Sequence, residues 1–110
     1  MKYSYKEIFN SVKEIILEIY PNLDPEKITR HASLWLHLGI DNLDRIEMIM
    51  IIERKYNVHI KNENKLKTAS SVEDFCNILY CELNGISEKE FFSFKTQFLN
   101  RIKNFFGKQY

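Results

Sequence analysis

Asp41, Asn42 and Asp44 stand within one turn's length of one another, and Glu47 follows Asp44 by three residues. Carboxylates grouped in this way can do acid–base work, one holding a proton while another accepts one. The same spacing has a plainer meaning at the start of a helix. An acid in the capping position takes up unpaired backbone N–H groups, and further acids in the first turn meet the positive end of the helix dipole. Capping, with a solvated face on which another protein docks, is the preferred reading of Asp41, Asp44 and Glu47. Asn42 offers a carboxamide whose nitrogen is delocalised into its carbonyl, so it donates hydrogen bonds and is a poor nucleophile. His31, His37 and His59 are scattered, with no Asp, Glu or Cys spacing that joins them around a metal. No Ser-His-Asp or Cys-His pattern and no glycine-rich phosphate loop is present. Cys76 and Cys81 lack the Cys-x-x-Cys spacing and read as reduced thiols in a cytoplasmic chain. These residues describe a binding protein rather than an enzyme, with no catalytic residue and no metal site.

The elements that must position them punctuate themselves. Ser4 and Glu7 have the spacing of a capping box, with Tyr3 and Ile8 as its hydrophobic staple. Tyr5, Ile8, Phe9, Val12, Ile15, Ile16 and Ile19 then recur at helical spacing until Pro21 stops the run. A long connection follows to Asp41. Asp24-Pro25 predicts a short helical turn within it, and Leu34, Trp35, Leu36 and Leu38 predict that it packs onto the bundle, Trp35 as a core residue. A second helix opens at Gly39-Ile40-Asp41, with Asp41 as cap and Asp44 at its third position. Leu43, Ile46, Met48, Ile49, Met50, Ile51, Ile52 and Tyr56 make it too apolar for one buried stripe, so part of it is left for something else. A single turn is expected around Asn62–Leu66. Ser70 and Glu73 predict a capping box for the next helix, which carries Val72, Phe75, Cys76, Leu79 and Leu83 and stops at Asn84-Gly85. Ser87 and Glu90 repeat the pattern for a last helix running to Gly107.

Composition agrees with helices. Apolar residues are 45% and aromatics 14% of 110 residues, with three glycines and two prolines, which argues for one folded, turn-poor domain. No apolar run reaches the length of a membrane span and the N-terminus has no signal-peptide pattern. The net charge of +1 divides unevenly: residues 1–86 carry 11 basic and 13 acidic side chains, residues 87–110 five and two. Neither part is charged strongly enough for nucleic acid.

From about Ile28 to Leu83 the sequence resembles an acyl carrier protein. Ile28-Thr29-Arg30-His31-Ala32-Ser33-Leu34 is similar to the segment leading into that family's central loop, and Leu38-Gly39-Ile40-Asp41-Asn42-Leu43-Asp44 to its signature, usually Leu-Gly-x-Asp-Ser-Leu-Asp. Ile46-Glu47-Met48-Ile49-Met50 and Glu53 to Tyr56 continue in register with its second helix, and Thr68 to Val72 with the start of its last. The resemblance implies an all-α, four-helix bundle of three long helices and one short, here over residues 1–85. It implies a place in fatty-acid or polyketide-type acyl-chain biosynthesis, with a 4′-phosphopantetheine arm on the signature serine and partner enzymes docking on the second helix. On this chain those partner positions are Asp41, Asp44, Arg45, Ile46, Glu47 and Met50. Met48, Ile49, Ile52, Tyr56 and Ile60 are the candidates for lining an acyl cavity.

Asn42 occupies the serine's place, and it departs from the pattern chemically. The serine hydroxyl takes the phosphopantetheinyl group from coenzyme A, and the attached phosphate meets the helix N-terminus. No phosphodiester forms on a carboxamide. As written, the chain is therefore expected to carry no cofactor, the arm being expected only if position 42 were Ser. Three origins fit: a natural carrier-like domain without its arm, an engineered Ser→Asn form of an active carrier, and chance likeness in a helical bundle. Leu36 and His37 stand where the family often has an acidic pair, Arg45 and Arg54 interrupt the acidic face, and Lys61, Lys65 and Lys67 make the third segment basic. Steering towards a basic partner should be weaker than for an ordinary carrier. The reading from a different class is an adaptor or membrane-associated module that kept only the fold.

Residues 86–110 are the part least like the family. Phe91, Phe92, Phe94, Phe98, Leu99, Ile102, Phe105 and Phe106 span an arc of about 160° on a helix, with Lys95 inside it and Arg101 and Lys103 beside it. Such a face is expected to pack on the bundle or to pair two copies. An interfacial membrane helix is the alternative.

Overall fold

The computed structural model describes residues 2–93. Among them it is all-α: α1 (Tyr5–Ile19), α2 (Asn42–Tyr56), α3 (Glu63–Thr68), α4 (Val72–Asn84) and α5 (Glu88–Ser93), with a 3-10 turn at Pro25–Lys27. Three helices are long, and α3 is short, as expected of the bundle. No helix among the described residues is long and apolar enough to cross a membrane.

Local chemistry sets most of the ends. Ser4 Oγ accepts from Glu7 N at 3.1 Å, and Asp24 Oδ1 accepts from Glu26 N at 3.0 Å ahead of Pro25. Gly85 ends α4 with φ +65°, a left-handed cap that a side chain would strain. Ser87 and Glu90 bond reciprocally at the start of α5. The expected run of this helix to Gly107 lies outside the described residues. One cap differs. Ser71, not Ser70, opens α4, its Oγ accepting from Asp74 N at 3.1 Å. The Ser70–Glu73 pair is pulled out of register by tertiary bonds: Glu73 N donates to Arg30 O, and Leu34 N donates to Ser70 O. An isolated antiparallel bridge thus joins Ser33 to Ser71 and holds residues 70–71 extended.

The core is the meeting of the long helices. α1 packs on α4 and on α2, and α3 closes against α2 and α4. Ile8, Val12 and Ile16 from α1 meet Met48, Ile49 and Ile52 from α2 and Phe75 and Leu79 from α4, all buried. Leu34, Leu38 and Ile40 of the long connection are buried with them. Phe91 of α5 is also buried, its ring 5.9 Å from that of Tyr80.

Trp35 and Leu36 overturn the expectation that the whole apolar run of the connection packs inward. Trp35 is 61% and Leu36 80% exposed. The backbone here makes one turn, with His37 N bonded to Ser33 O and Gly39 N to Trp35 O. Positions 34 and 38 therefore stack on the inner side, and the two residues between them face outward.

Candidate functional site

The capped start of α2 is the site. Asp41 Oδ1 accepts from Asp44 N at 2.9 Å, and Asp44 Oδ2 accepts from Asp41 N at 3.2 Å, a reciprocal capping box. Asn42 is the first residue of the helix and is exposed, as are Asp41 and Leu43 beside it. A cleft of about 270 Å³ lies at this end, lined by Trp35, Ile40, Asp41, Asn42 and Arg45. Three serines in and beyond the preceding loop are each engaged elsewhere. Ser33 Oγ accepts from Leu36 N at 3.0 Å, Ser70 Oγ donates to Asp74 at 2.5 Å, and Ser71 Oγ caps α4.

Helical period sorts the remaining residues of α2. Arg45, Met48, Ile49 and Ile52 form the buried stripe, because positions three and four apart share a face. Leu43, Glu47, Met50 and Arg54 form the opposite, exposed stripe, and Asp44 and Ile46 lie half-buried between them. The partner set expected from the sequence is thus brought together at one end of α2 with a single exception. Arg45 is buried, and its Nη1 donates to Lys67 O at 2.6 Å and to Ala69 O at 2.5 Å. Its guanidinium binds the α3–α4 junction instead of interrupting an acidic surface. The Nε is buried without a hydrogen-bond partner, and burial lowers the pKa of the group.

The acyl-cavity candidates lie inside. Met48, Ile49, Ile52 and Ile60 are buried in the core, and Tyr56 is half-buried with its Oη donating to Ser11 Oγ at 2.7 Å.

Tyr20 is a site residue that motif and spacing did not single out. Following the end of α1, it donates its hydroxyl to the Asp44 carboxylate and lies 3.3 Å from Gly39 O. It ties the end of one helix to the start of another, a pairing that no local sequence pattern encodes. Burial raises the Asp44 pKa, but hydrogen bonds donated by the Tyr20 hydroxyl and the Asp41 backbone N–H outweigh it and leave the carboxyl below its ordinary value. Burial, the bond to Asp44 and the nearby carboxylates push the Tyr20 hydroxyl up to about 12. The two shifts bound a window of stability. The Asp44 contribution is present above its unfolded pKa and is lost as pH falls through the lowered folded value. The Tyr20 contribution is present below its unfolded pKa and is lost as pH rises towards about 12. Tyr20→Phe is therefore expected to be less stable than the parent at neutral pH and to converge with it at both extremes. Thermal melts across pH check this; a constant gap between the two curves would count against the pairing.

Among known proteins, the chain is 41% identical over 73 residues to the acyl carrier protein of Thermosynechococcus vestitus, covering 64% of this chain and 89% of that protein. It is 37% identical over 70 residues to the acyl carrier protein of Bdellovibrio bacteriovorus, with 62% and 88% covered. With that of Wolinella succinogenes the figures are 35% over 63 residues, with 57% and 82% covered. No protein-family model matches the chain. The relatives share one name, and that name describes a carrier rather than a catalyst. Matched over nearly their whole length, they show that this helical chain belongs to the acyl carrier protein family.

Proposed function

We propose that the chain is a carrier-type domain of acyl-chain biosynthesis, working in the cytoplasm, which docks on acyl-chain-processing enzymes through α2 and bears no 4′-phosphopantetheine arm. Asn42 carries this reading. It stands exposed at the first position of a capped 15-residue helix, in the place where the resemblance has a serine, and its carboxamide is no nucleophile for a pantetheinyl phosphate. The residues present do not fit the arm, so no step is routed through one. Docking is assigned to Asp41, Asp44, Ile46, Glu47 and Met50. Arg45 leaves the set because it is buried. If an acyl chain delivered by a partner enters the bundle, it runs among Met48, Ile49, Ile52, Tyr56 and Ile60. The buried ring of Phe91 against Tyr80 supports packing of the start of the 86–110 extension on the bundle of residues 1–85, and the phenylalanines from Phe94 onward lie outside the described residues.

Intact mass after incubation with coenzyme A and a phosphopantetheinyl transferase tests the proposal. The chain as it stands is expected to gain nothing, and Asn42→Ser to gain one phosphopantetheinyl group. Modification of the unaltered chain would overturn the assignment of position 42. An unmodified Asn42→Ser would mean that carrier-processing enzymes do not read this surface.

A further inference from the structure

The large hydrophobic side chains exposed among the described residues lie in the loop before α2 and on α2 itself. Trp35 is 61%, Leu36 80%, Leu43 76% and Met50 55% exposed. Core packing explains none of them, and a soluble chain seldom leaves so much apolar surface in one place without a use for it. Leu43 and Met50 share the outer stripe of α2 with Glu47, and Trp35 lines the same cleft as Asn42. The loop and the helix therefore present one apolar front.

Charge narrows the occupant. In residues 31–53 the one Lys or Arg is Arg45, which is buried against backbone carbonyls, and the exposed cation of the outer stripe, Arg54, lies at its end away from the loop. Asp41 and Glu47 are the exposed acids, while Asp44 is half-buried and held by Tyr20 and the cap. A front with two exposed carboxylates towards the loop and a single arginine at its far end lacks the Lys/Arg-rich rim by which an interfacial helix holds an anionic lipid surface. A second copy paired about a two-fold axis at the loop end of the front would bring Asp41 and Glu47 of one against those of the other. A different protein, with an apolar groove and a neutral or weakly basic edge, meets neither objection.

We infer that the partner enzyme is recognised chiefly by apolar contact, with Trp35 and Leu36 of the loop as anchors beside Leu43 and Met50 of α2. The acids of the helix tune the orientation of docking rather than supply its strength. This rests on the docking function proposed above and specifies its chemistry. Tryptophan is the side chain most often found at the energetic centre of an interface. Two exposed carboxylates, in contrast, are largely screened at moderate salt.

The probe is phosphopantetheinyl transferase with coenzyme A, acting on full-length Asn42→Ser and followed as the rate of transfer at limiting carrier. Adding Trp35→Ala or Leu36→Ala is expected to slow transfer by roughly tenfold or more. Adding Glu47→Lys, or raising salt from about 50 to about 500 mM, is expected to change it by less than about threefold. The melting temperatures of the Trp35→Ala and Leu36→Ala proteins are expected to stay unchanged, which separates lost docking from lost folding. Steep salt dependence, with Glu47→Lys impaired and Trp35→Ala unaffected, overturns the apolar recognition and leaves docking through α2 standing. An unmodified Asn42→Ser overturns the docking function and this inference with it. Dimerisation in sedimentation, or binding to phosphatidylglycerol vesicles, that disappears with Trp35→Ala assigns the front to a second copy or to lipid and also overturns it.

Discussion

Arg45→Met is expected to lower the melting temperature by on the order of 15 °C. The guanidinium reaches from the first turn of α2 to two carbonyl oxygens, Lys67 O at 2.6 Å and Ala69 O at 2.5 Å, at the junction of α3 and α4. Hydrogen bonds from a charged donor contribute about 1.5–3 kcal/mol each, and a stranded buried acceptor costs about 1–3 kcal/mol. Methionine keeps much of the apolar stem and so isolates the polar loss from the loss of packing. The cost of holding a charge inside offsets part of the gain, leaving about 3 kcal/mol, which for a domain of this size corresponds to the stated shift. Thermal unfolding of the full chain by circular dichroism measures it. Unchanged melting would show that the two carbonyls find equivalent donors without Arg45. Arg45→Lys should lie between, because an ammonium lacks the planar fork of the guanidinium.

Phe75→Ala should come close to unfolding the domain. Phe75 is fully buried among side chains of α1, α2 and α4, where removing a ring costs about 3–5 kcal/mol in lost transfer energy and residual cavity. The total stability of a domain this small is on the order of 5–15 kcal/mol. Urea denaturation is expected to show the midpoint falling by a third or more of its value, roughly in proportion to that loss. Trp35→Ala removes a larger side chain, yet it should change stability by no more than about 0.5 kcal/mol, because the indole already faces water. If Trp35→Ala were as damaging as Phe75→Ala, the exposed apolar front at the start of α2 would have to be abandoned.

Residues within one turn of each other carried their own instructions. Ser4 with Glu7, Asp24 with Pro25, Asp41 with Asp44, and Ser87 with Glu90 each bring a cap and its partner within three residues. The period of α2 also contained more than its composition suggested. Position 45 shares a face with 48, 49 and 52, so the burial of Arg45 was legible in the spacing. Its charge concealed it, since an arginine is rarely buried without partners.

What remained illegible required neighbours far away in the chain. Tyr20 finds Asp44 across 24 residues, and Ser71 rather than Ser70 caps α4 because strand-like bonds from Arg30, Ala32 and Leu34 take up the backbone around it. Trp35 and Leu36 point outward because one turn of the connection is hung from Ser33 and Ser70, which leaves only Leu34 and Leu38 facing the core. By itself, the sequence determined the order of the helices, the caps that open α1, α2 and α5, and the chemistry denied to Asn42, because capping and nucleophilicity depend on atoms within a turn or on a single side chain. Only the tertiary structure decided which side of the loop turn at residues 34–38 meets water and what the buried Arg45 binds. That depends on backbone partners 20 to 40 residues away, and it is what turned Arg45 into an internal brace and Trp35 into surface.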